Sequence, residues 1–451
     1  MDQAKQLGEK NILGLLLKFS GPAIVGMLSQ ALYNVVDRVF IGRAVGTLGI
    51  AGITVTFPFM LAMMGFSMLI GVGATALISL RLGAQKKEEA ELVVGNAVVL
   101  MISIALTITI LGLVFLNPLL RLSGASPIVL PYSRDYMQII LMGTIFSTIS
   151  HGMNNFIRGE GNPKIAMFTM LIGSLLNLGL DPIFIFVIGM GIKGAAIATI
   201  LSQMVSSVWV VMYFLGGKSL VKIHSRNFRL NLPIVRNIVA IGMAPFAMQI
   251  AGSLLNGILN NQLRIHGGDL AVSVFGIIFA LLIMIVMPIF GICQGAQPII
   301  GYNYGARSYE RVRKTLLLAI AAASGLTLLG FLLAMFFPAQ IIQLFNKDDP
   351  ALTELGTHAM RIFLMMMPIV GFQIVSSHYF QAVGKARLSM LLGLSRQVII
   401  LIPALLILPL IFGLNGVWFA GPSADLGSSL LTGAFIIREI RRLKQMQVRN
   451  P

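Results

Sequence analysis

An aspartate followed by proline inside an apolar stretch, Asp181-Pro182, is the pair of residues in this sequence best placed to do chemistry. Asn177 lies one helical turn before the acid and so on its face, while Pro182 removes a backbone donor and frees a carbonyl that could coordinate a cation. A second acid, Asp37, ends a polar stripe of Gln30, Tyr33 and Asn34 at helical spacing. Other apolar segments offer Ser147, Ser150, His151 and Asn154, and Thr199, Ser202 and Gln203. Two carboxylates held together out of water resist being charged at once, so such a pair can take up a proton or a cation. For any single Ser, Thr or Asn the competing use is a bond between helices. His151 suits packing better than a proton relay, and Cys293, the one cysteine, reads as a buried packing residue. A third acid, Asp425, is flanked by Gly421, Pro422 and Ser423, which predicts a distorted helix there. No nucleophile and base pair or metal-ligand cluster stands at a matching depth, so neither an enzyme nor a cofactor is expected.

The elements that position these residues follow from composition. Of 451 residues, 57% are hydrophobic and 11% charged, against about 25% charged in soluble domains, and the mean hydropathy is +0.88. The chain is an all-α integral membrane protein. Apolar runs long enough to cross a bilayer occur at 18–42, 50–80, 92–116, 133–157, 164–188, 193–216, 234–262, 270–301, 314–337, 353–380, 388–413 and 414–437, twelve in all. Residues 1–17 are polar and amphipathic, so the first run is expected to act as its own insertion signal.

The 33 basic and 16 acidic residues leave a net charge of +17. With the N-terminus cytoplasmic, the inner segments hold 24 Lys and Arg and the outer ones seven, with Arg38 and Arg396 inside helices. That bias places both termini in the cytoplasm and requires no nucleic-acid partner.

The two halves repeat. Pro22 and Gly161 recur as Pro245 and Gly384 at an offset of 223, and Gly73-Ala74, Gly83-Ala84 and Gly194 recur as Gly295-Ala296, Gly305-Ala306 and Gly416 at 222. Six spans per copy make the copies parallel, related by a pseudo-two-fold axis along the membrane normal. The domains are then an N-terminal bundle, 1–216, a basic cytoplasmic linker, 217–233, and a C-terminal bundle, 234–451. Two similar bundles that rock about a central site imply a secondary transporter. The second half places Asn260 and Ala404 at 223 after Asp37 and Asp181, so the acidic chemistry belongs to the first bundle alone.

The strings VDRVFIG at 36–42, RGEGNPK at 158–164, NLGLDPIFIF at 177–186 and GAAIAT at 194–199 resemble the multidrug and toxic compound extrusion (MATE) family over essentially the whole chain, most nearly its branch similar to DNA-damage-inducible protein F. The resemblance implies twelve helices in two bundles and export of amphipathic, often cationic compounds in exchange for protons or sodium ions. It implies a coupling network of Asp37, Tyr136, Asn154, Asn177, Asp181 and Thr199, with Gln30 facing the drug cavity. Other branches place an acid on the seventh and tenth spans; this chain has none there. Arg38 departs from the small polar residue usual after the first-span acid.

On this reading, a proton from outside reaches Asp37 or Asp181, bonds to Tyr136, Asn177 and Thr199 are lost, the first span shifts about Pro22 and Gly26, and drug leaves. Sodium would be held by the oxygens of Asp37, Asn177, Asp181 and Thr199. Among 26 methionines, Met27, Met63, Met64, Met248, Met284 and Met287 lie on helices that could line a promiscuous cavity, as could Asn34. The chain is expected to be a monomer in a prokaryotic inner membrane. The alternative is a lipid-linked oligosaccharide flippase, which needs intramembrane bases to hold a pyrophosphate.

Overall fold

A computed structural model of the chain describes residues 2–45, 47–123, 125–217, 219–343 and 350–449, and leaves out some side chains within them, those of Asn34 and Arg38 included. Lys218 and Lys347 also lie outside the described residues. In lipid every backbone polar group must be satisfied within its own segment, and the apolar runs accordingly form helices. A short amphipathic helix, α1 (Asp2–Glu9), precedes α2 (Ile12–Val45), α3 (Thr47–Gly83), α4 (Lys87–Val114), the short α5 (Leu116–Leu122), α6 (Leu130–Met142), α7 (Thr144–Gly159), α8 (Pro163–Pro182) and α9 (Gly191–Leu215). After the linker come α10 (Leu232–Gly305), α11 (Tyr309–Phe336), the short α12 (Pro338–Gln343), α13 (Pro350–Phe363), α14 (Met367–Ala382), α15 (Ala386–Leu394), α16 (Ile402–Phe412) and α17 (Leu414–Arg449).

Twelve transmembrane spans in two six-helix bundles result. Nine described stretches are long and apolar enough to cross a membrane, with α10 counted as Leu232–Gly268 and Leu270–Gly305 about its turn at Gly268. A tenth span is the pair α13 and α14, bent by 48°. The other two are the α6–α7 pair and α17. The fourth and tenth spans, read from sequence as continuous, are thus each broken, and the breaks at Gly143 and Met366 fall 223 residues apart. The helix around Asp425, by contrast, is not interrupted: α17 runs through Pro422. The expected loosening at Pro182 is present, for α8 passes there into a π-helical turn, Ile183–Val187.

The repeat is visible in backbone geometry. Six of the nine positive-φ residues among those described form pairs at the repeat offset: Gln85 and Arg307 at φ 60° and 61°, Gly191 and Gly413 at 54° and 55°, Gly161 and Gly384 at 102° and 75°. Contacts between the bundles are reciprocal as well. A methyl group added at Gly83 would lie 2.0 Å from the Tyr302 carbonyl oxygen, and one at Gly305 would lie 2.2 Å from that of Leu80. Both members of each pair are 222 residues apart, the signature of a two-fold contact.

These contacts lie on the side that carries both termini. Gly73 abuts the Ile238 carbonyl, Gly242 that of Leu69, Gly295 packs on Ser20 and Gly291 on Ile24. Phe66 and Phe246 meet at 4.8 Å between ring centroids. Apart from Gly65, which meets Phe246 and Gln249 beside this aromatic pair, the cross-bundle glycine contacts among the described residues fall between the pair and the terminal side. Small residues allow the backbones to approach this closely. Helix α1 adds a strap: the Leu7 carbonyl accepts from Asn303 at 2.8 Å and Arg311 at 3.1 Å, while the Gln6 amide donates to the Gly161 carbonyl at 3.4 Å. Strap and interface together hold the terminal side shut.

The linker is fastened to the first bundle. Glu160, just past α7, accepts from Tyr213, from Ser219 at 2.6 Å and from the Leu220 and Val221 amides at 2.9 and 3.4 Å. Burial raises its carboxyl above the usual carboxylate range against the pull of these donors. Glu91 and Asn96 of α4 accept the Lys222 and Asn231 amides at 3.2 and 2.7 Å.

The glycine interface should set the closed state. Gly83→Val overpacks it, a change that costs about 1–3 kcal/mol in close-packed sites. Spin labels at Lys87→Cys and Arg387→Cys, exposed on the terminal side of the two bundles, should report a longer-distance population in this variant, and an unchanged distribution would contradict the interface described.

Candidate functional site

Four helices of the first bundle bring the polar residues together. Asp37 on α2, Asn154 on α7, Asn177 and Asp181 on α8 and Thr199 on α9 are all buried, Asp181 to 0% exposure and Asp37 to 7%. The one-turn spacing on α8 works as its sequence implied: the Asn177 amide donates to Asp181 Oδ1 at 3.2 Å and to the Thr199 hydroxyl at 3.4 Å. The same hydroxyl donates in turn to the Ala195 carbonyl at 3.0 Å. Asp37 is near enough for its charge to act on Asp181. The site therefore joins two carboxylates with amide and hydroxyl oxygens, and three of its oxygens, Asp181 Oδ2, Asn154 Oδ1 and Asn177 Oδ1, have no protein hydrogen-bond donor. Buried oxygens without donors are costly, and a proton on the carboxylate or a small cation among them would relieve that cost.

Tyr136 belongs to the adjoining apolar layer, with Ile41 and Ile185, each one helical turn beyond an acid, and this layer bounds the cluster on that side. On the other side Asn154, Asn177 and Thr199 open on a cavity of about 50 Å³. By the same measure one water needs about 10–15 Å³, and a drug-sized ligand about 300–1,000 Å³. The cavity suits a few waters or an ion and excludes a drug in this conformation.

Gln30 and Tyr33 also border this small cavity. The Gln30 amide lies 3.3 Å from His151 Nε2, while His151 Nδ1 lies 3.0 Å from the Ser147 carbonyl. The pattern fits the tautomer with hydrogen on Nδ1 and makes His151 a tie between α2 and α7. The methionines scatter. Met27 is half-buried, Met64 and Met284 are 45% and 71% exposed, and Met248 packs against Gly393 within the second bundle.

Arg158 escaped the sequence reading, which assigned it to a cytoplasmic loop. It is buried at the end of α7, where it donates to Gln294 of the second bundle and to Asn155 at 2.6 Å. No local signal marks an arginine as part of an interface when it opens a glycine-rich loop. Thr169 and Ser206 likewise border the cavity without standing out in sequence.

The second bundle carries no copy of this cluster. The positions equivalent to Tyr136, Asn154, Asn177, Asp181 and Thr199 hold Ala359, Ser377, Ile400, Ala404 and Gly421. One of its two buried acids, Asp425, instead accepts from Arg396 Nε at 2.5 Å, and the other, Glu439, accepts from Lys385 and Tyr379. No group of three His, Cys, Asp or Glu able to hold a metal ion occurs among the described residues.

Two reciprocal six-helix bundles with a buried polar cluster in one of them define a membrane transporter, not an enzyme. A family model described as MatE matches residues 22–183 and 240–406, most of both bundles, and the chain belongs to this family. The multidrug export protein MepA of Staphylococcus aureus (strain MRSA252) is 28% identical over 403 residues, which cover 89% of this chain and 88% of that protein. Among solved structures, the MATE multidrug transporter DinF-BH in complex with rhodamine 6G is 40% identical with a TM-score of 0.88, covering 94% of this chain and 95% of that one. A MOP superfamily transporter from Pyrococcus furiosus, described as having a binding pocket of reverse polarity that suggests a different function, is 28% identical with a TM-score of 0.90, covering 97% and 98%. Substrate polarity thus has to be argued from this chain's own residues.

Replacing Asn177 by Leu removes the amide that joins Asp181 to Thr199. The expected result is a loss of about 1–3 kcal/mol, read as a lower melting temperature in detergent, with a smaller loss for Thr199→Val; an unchanged melting temperature in Asn177→Leu would argue against the bridge.

Proposed function

We propose that the protein exports amphipathic, cationic compounds by secondary active antiport, in exchange for protons or sodium ions. The observation that carries this reading is the buried pair Asp37 and Asp181, set with Asn177 and Thr199 beside oxygens that lack donors, in one bundle only. An uncompensated intramembrane charge costs about 2.5–3.5 kcal/mol on insertion scales, so a purely structural role gives no return for two of them. The Lys and Arg bias supports a cytoplasmic terminal side, and the reading takes the protein as a monomer in a prokaryotic inner membrane. The closed terminal side is then the cytoplasmic one, and the conformation is outward-facing.

From this state the cycle follows. A proton entering from outside binds the Asp37–Asp181 pair and removes the charge that held the cation. Bonds through Asn177 to Asp181 and Thr199 rearrange, α2 shifts about Pro22 and Gly26, and bound drug is released outward. The bundles 1–216 and 234–451 then rock as units joined by 217–233, the contacts around Gly83, Gly305 and Arg158 part, and the proton leaves to the cytoplasm. The restored negative charge attracts the next cationic drug towards Gln30, which borders the same cavity. Sodium would replace the proton on the oxygens of Asp37, Asn177, Asp181 and Thr199. The similarity to DinF-BH, whose structure holds rhodamine 6G, supports an organic dye as a test substrate.

Purified protein in proteoliposomes, given an inward proton or sodium gradient, should move rhodamine 6G in the opposite direction. Asp37→Asn and Asp181→Asn should each reduce the driven flux by about tenfold or more, the change expected when about 1.4 kcal/mol or more of coupling is removed. Undiminished gradient-driven flux in both variants would overturn the mechanism.

A further inference from the structure

The second bundle has a charged pair at the position that corresponds to the cation cavity. At the offsets that pair Asn177 with Ile400 and Thr199 with Gly421, 223 and 222, Arg396 stands where Gly173 stands, next to Ser174, and Asp425 where Gln203 stands, next to Ser202. Those four first-bundle residues border the cavity beside Asn177 and Thr199. Arg396 enters this region from a π-helical segment, Ser395–Leu401, and Asp425 from the continuous helix α17. Their side chains meet at 2.5 Å, with the Asp425 side chain 7% exposed and that of Arg396 25%.

Among the described residues Arg396 is the charged group that acts on Asp425. The titratable side chains on the neighbouring α14 are engaged elsewhere: His378 Nδ1 lies 2.8 Å from the Ile374 carbonyl with its ring packed on Phe290, and the Tyr379 hydroxyl donates to Glu439. Glu439, further along α17, is taken by Lys385 and Tyr379. Asp425 thus has one ionic partner among the described residues, and that partner is attached to the chain.

We propose that the Arg396 guanidinium is a tethered cation in the second bundle's counterpart of the ion pocket, which keeps Asp425 permanently compensated and excludes this half of the protein from the ion cycle. The inference rests on the first-bundle pocket being the site of the coupling ion. Its physical basis is the difference between the possible occupants. A proton or a sodium ion can leave a carboxylate during the cycle; a guanidinium stays charged at any physiological pH and cannot diffuse away. With both pockets exchangeable, each cycle would move more charge and respond to two titrations. With one pocket filled, the number of ions exchanged per drug is set by the Asp37–Asp181 pair.

Proton release on binding of rhodamine 6G, counted in weakly buffered detergent solution, tests this directly. Arg396→Gln should fold and release about one proton more per bound dye than the native protein, because Asp425 now binds a proton that dye binding can displace. Adding Asp425→Asn should return the count to the native value, and Arg396→Lys should not raise it. An unchanged count in folded Arg396→Gln, or an increase that persists with Asp425→Asn, would overturn the proposal. Should Arg396→Gln fail to fold, Arg396→Gly is compared with and without guanidinium: recovery of the melting transition by guanidinium and not by urea supports a tethered cation, and no recovery overturns it. The native count and its loss in Asp181→Asn report on the first-bundle site, whereas the difference between the Arg396 single and double variants reports on this one.

Discussion

Charge held out of water is the constraint on which this structure depends. A bilayer-spanning chain can keep a carboxylate only if something compensates it, and this protein does so in two different ways. Asp425 has a guanidinium fixed beside it. Asp181 has the Asn177 amide and, opposing its charge, the second carboxylate of Asp37, an arrangement that calls for an arriving cation or proton. The first solution is static and the second reversible, and that asymmetry gives two otherwise matching bundles different work.

The rest of the fold can be understood as what makes a reversible charge useful. A change of occupancy at Asp181 reaches α9 through Asn177 and the neighbouring α7 through the cavity wall, while Gln30 and His151 tie α2 to α7. The first bundle can therefore respond as a unit. Its contact with the second bundle is made largely of glycine against backbone, as at Gly83 and Gly305. Such contacts are tight but carry few directional bonds, so they can part and reform. Arg158 with Gln294, and the α1 strap on Asn303 and Arg311, add a small number of specific bonds across the same closure.

Much of this was legible in the chain because it rests on local periodicity. The one-turn spacing of Asn177 and Asp181, the proline after Asp181 and the offset of 222 to 223 each correspond to a geometric fact: a hydrogen bond, a π turn, a set of paired left-handed residues. What escaped depends on contacts between distant segments. Nothing near Arg158 announces Gln294, and nothing near Asp425 announces Arg396, 29 residues earlier. Pro422 misled in the other direction: proline with flanking glycine and serine suggested a distorted helix, yet α17 continues, because packing on its neighbours can support a proline inside a membrane helix. The breaks at Gly143 and Met366 were also missed, since hydropathy is blind to an interruption of the helix within an apolar run.

The central claim is that the buried carboxyl pair of the first bundle changes occupancy when drug binds. Difference infrared spectroscopy of the purified protein reads this without transport, through the carbonyl stretch of a protonated carboxylic acid. The account predicts that rhodamine 6G binding to proton-loaded protein bleaches such a band, and that the bleach is lost in Asp181→Asn. A spectrum in which dye binds and no carboxyl band changes, in the absence of sodium, or in which the same change persists in both Asp37→Asn and Asp181→Asn, would contradict it.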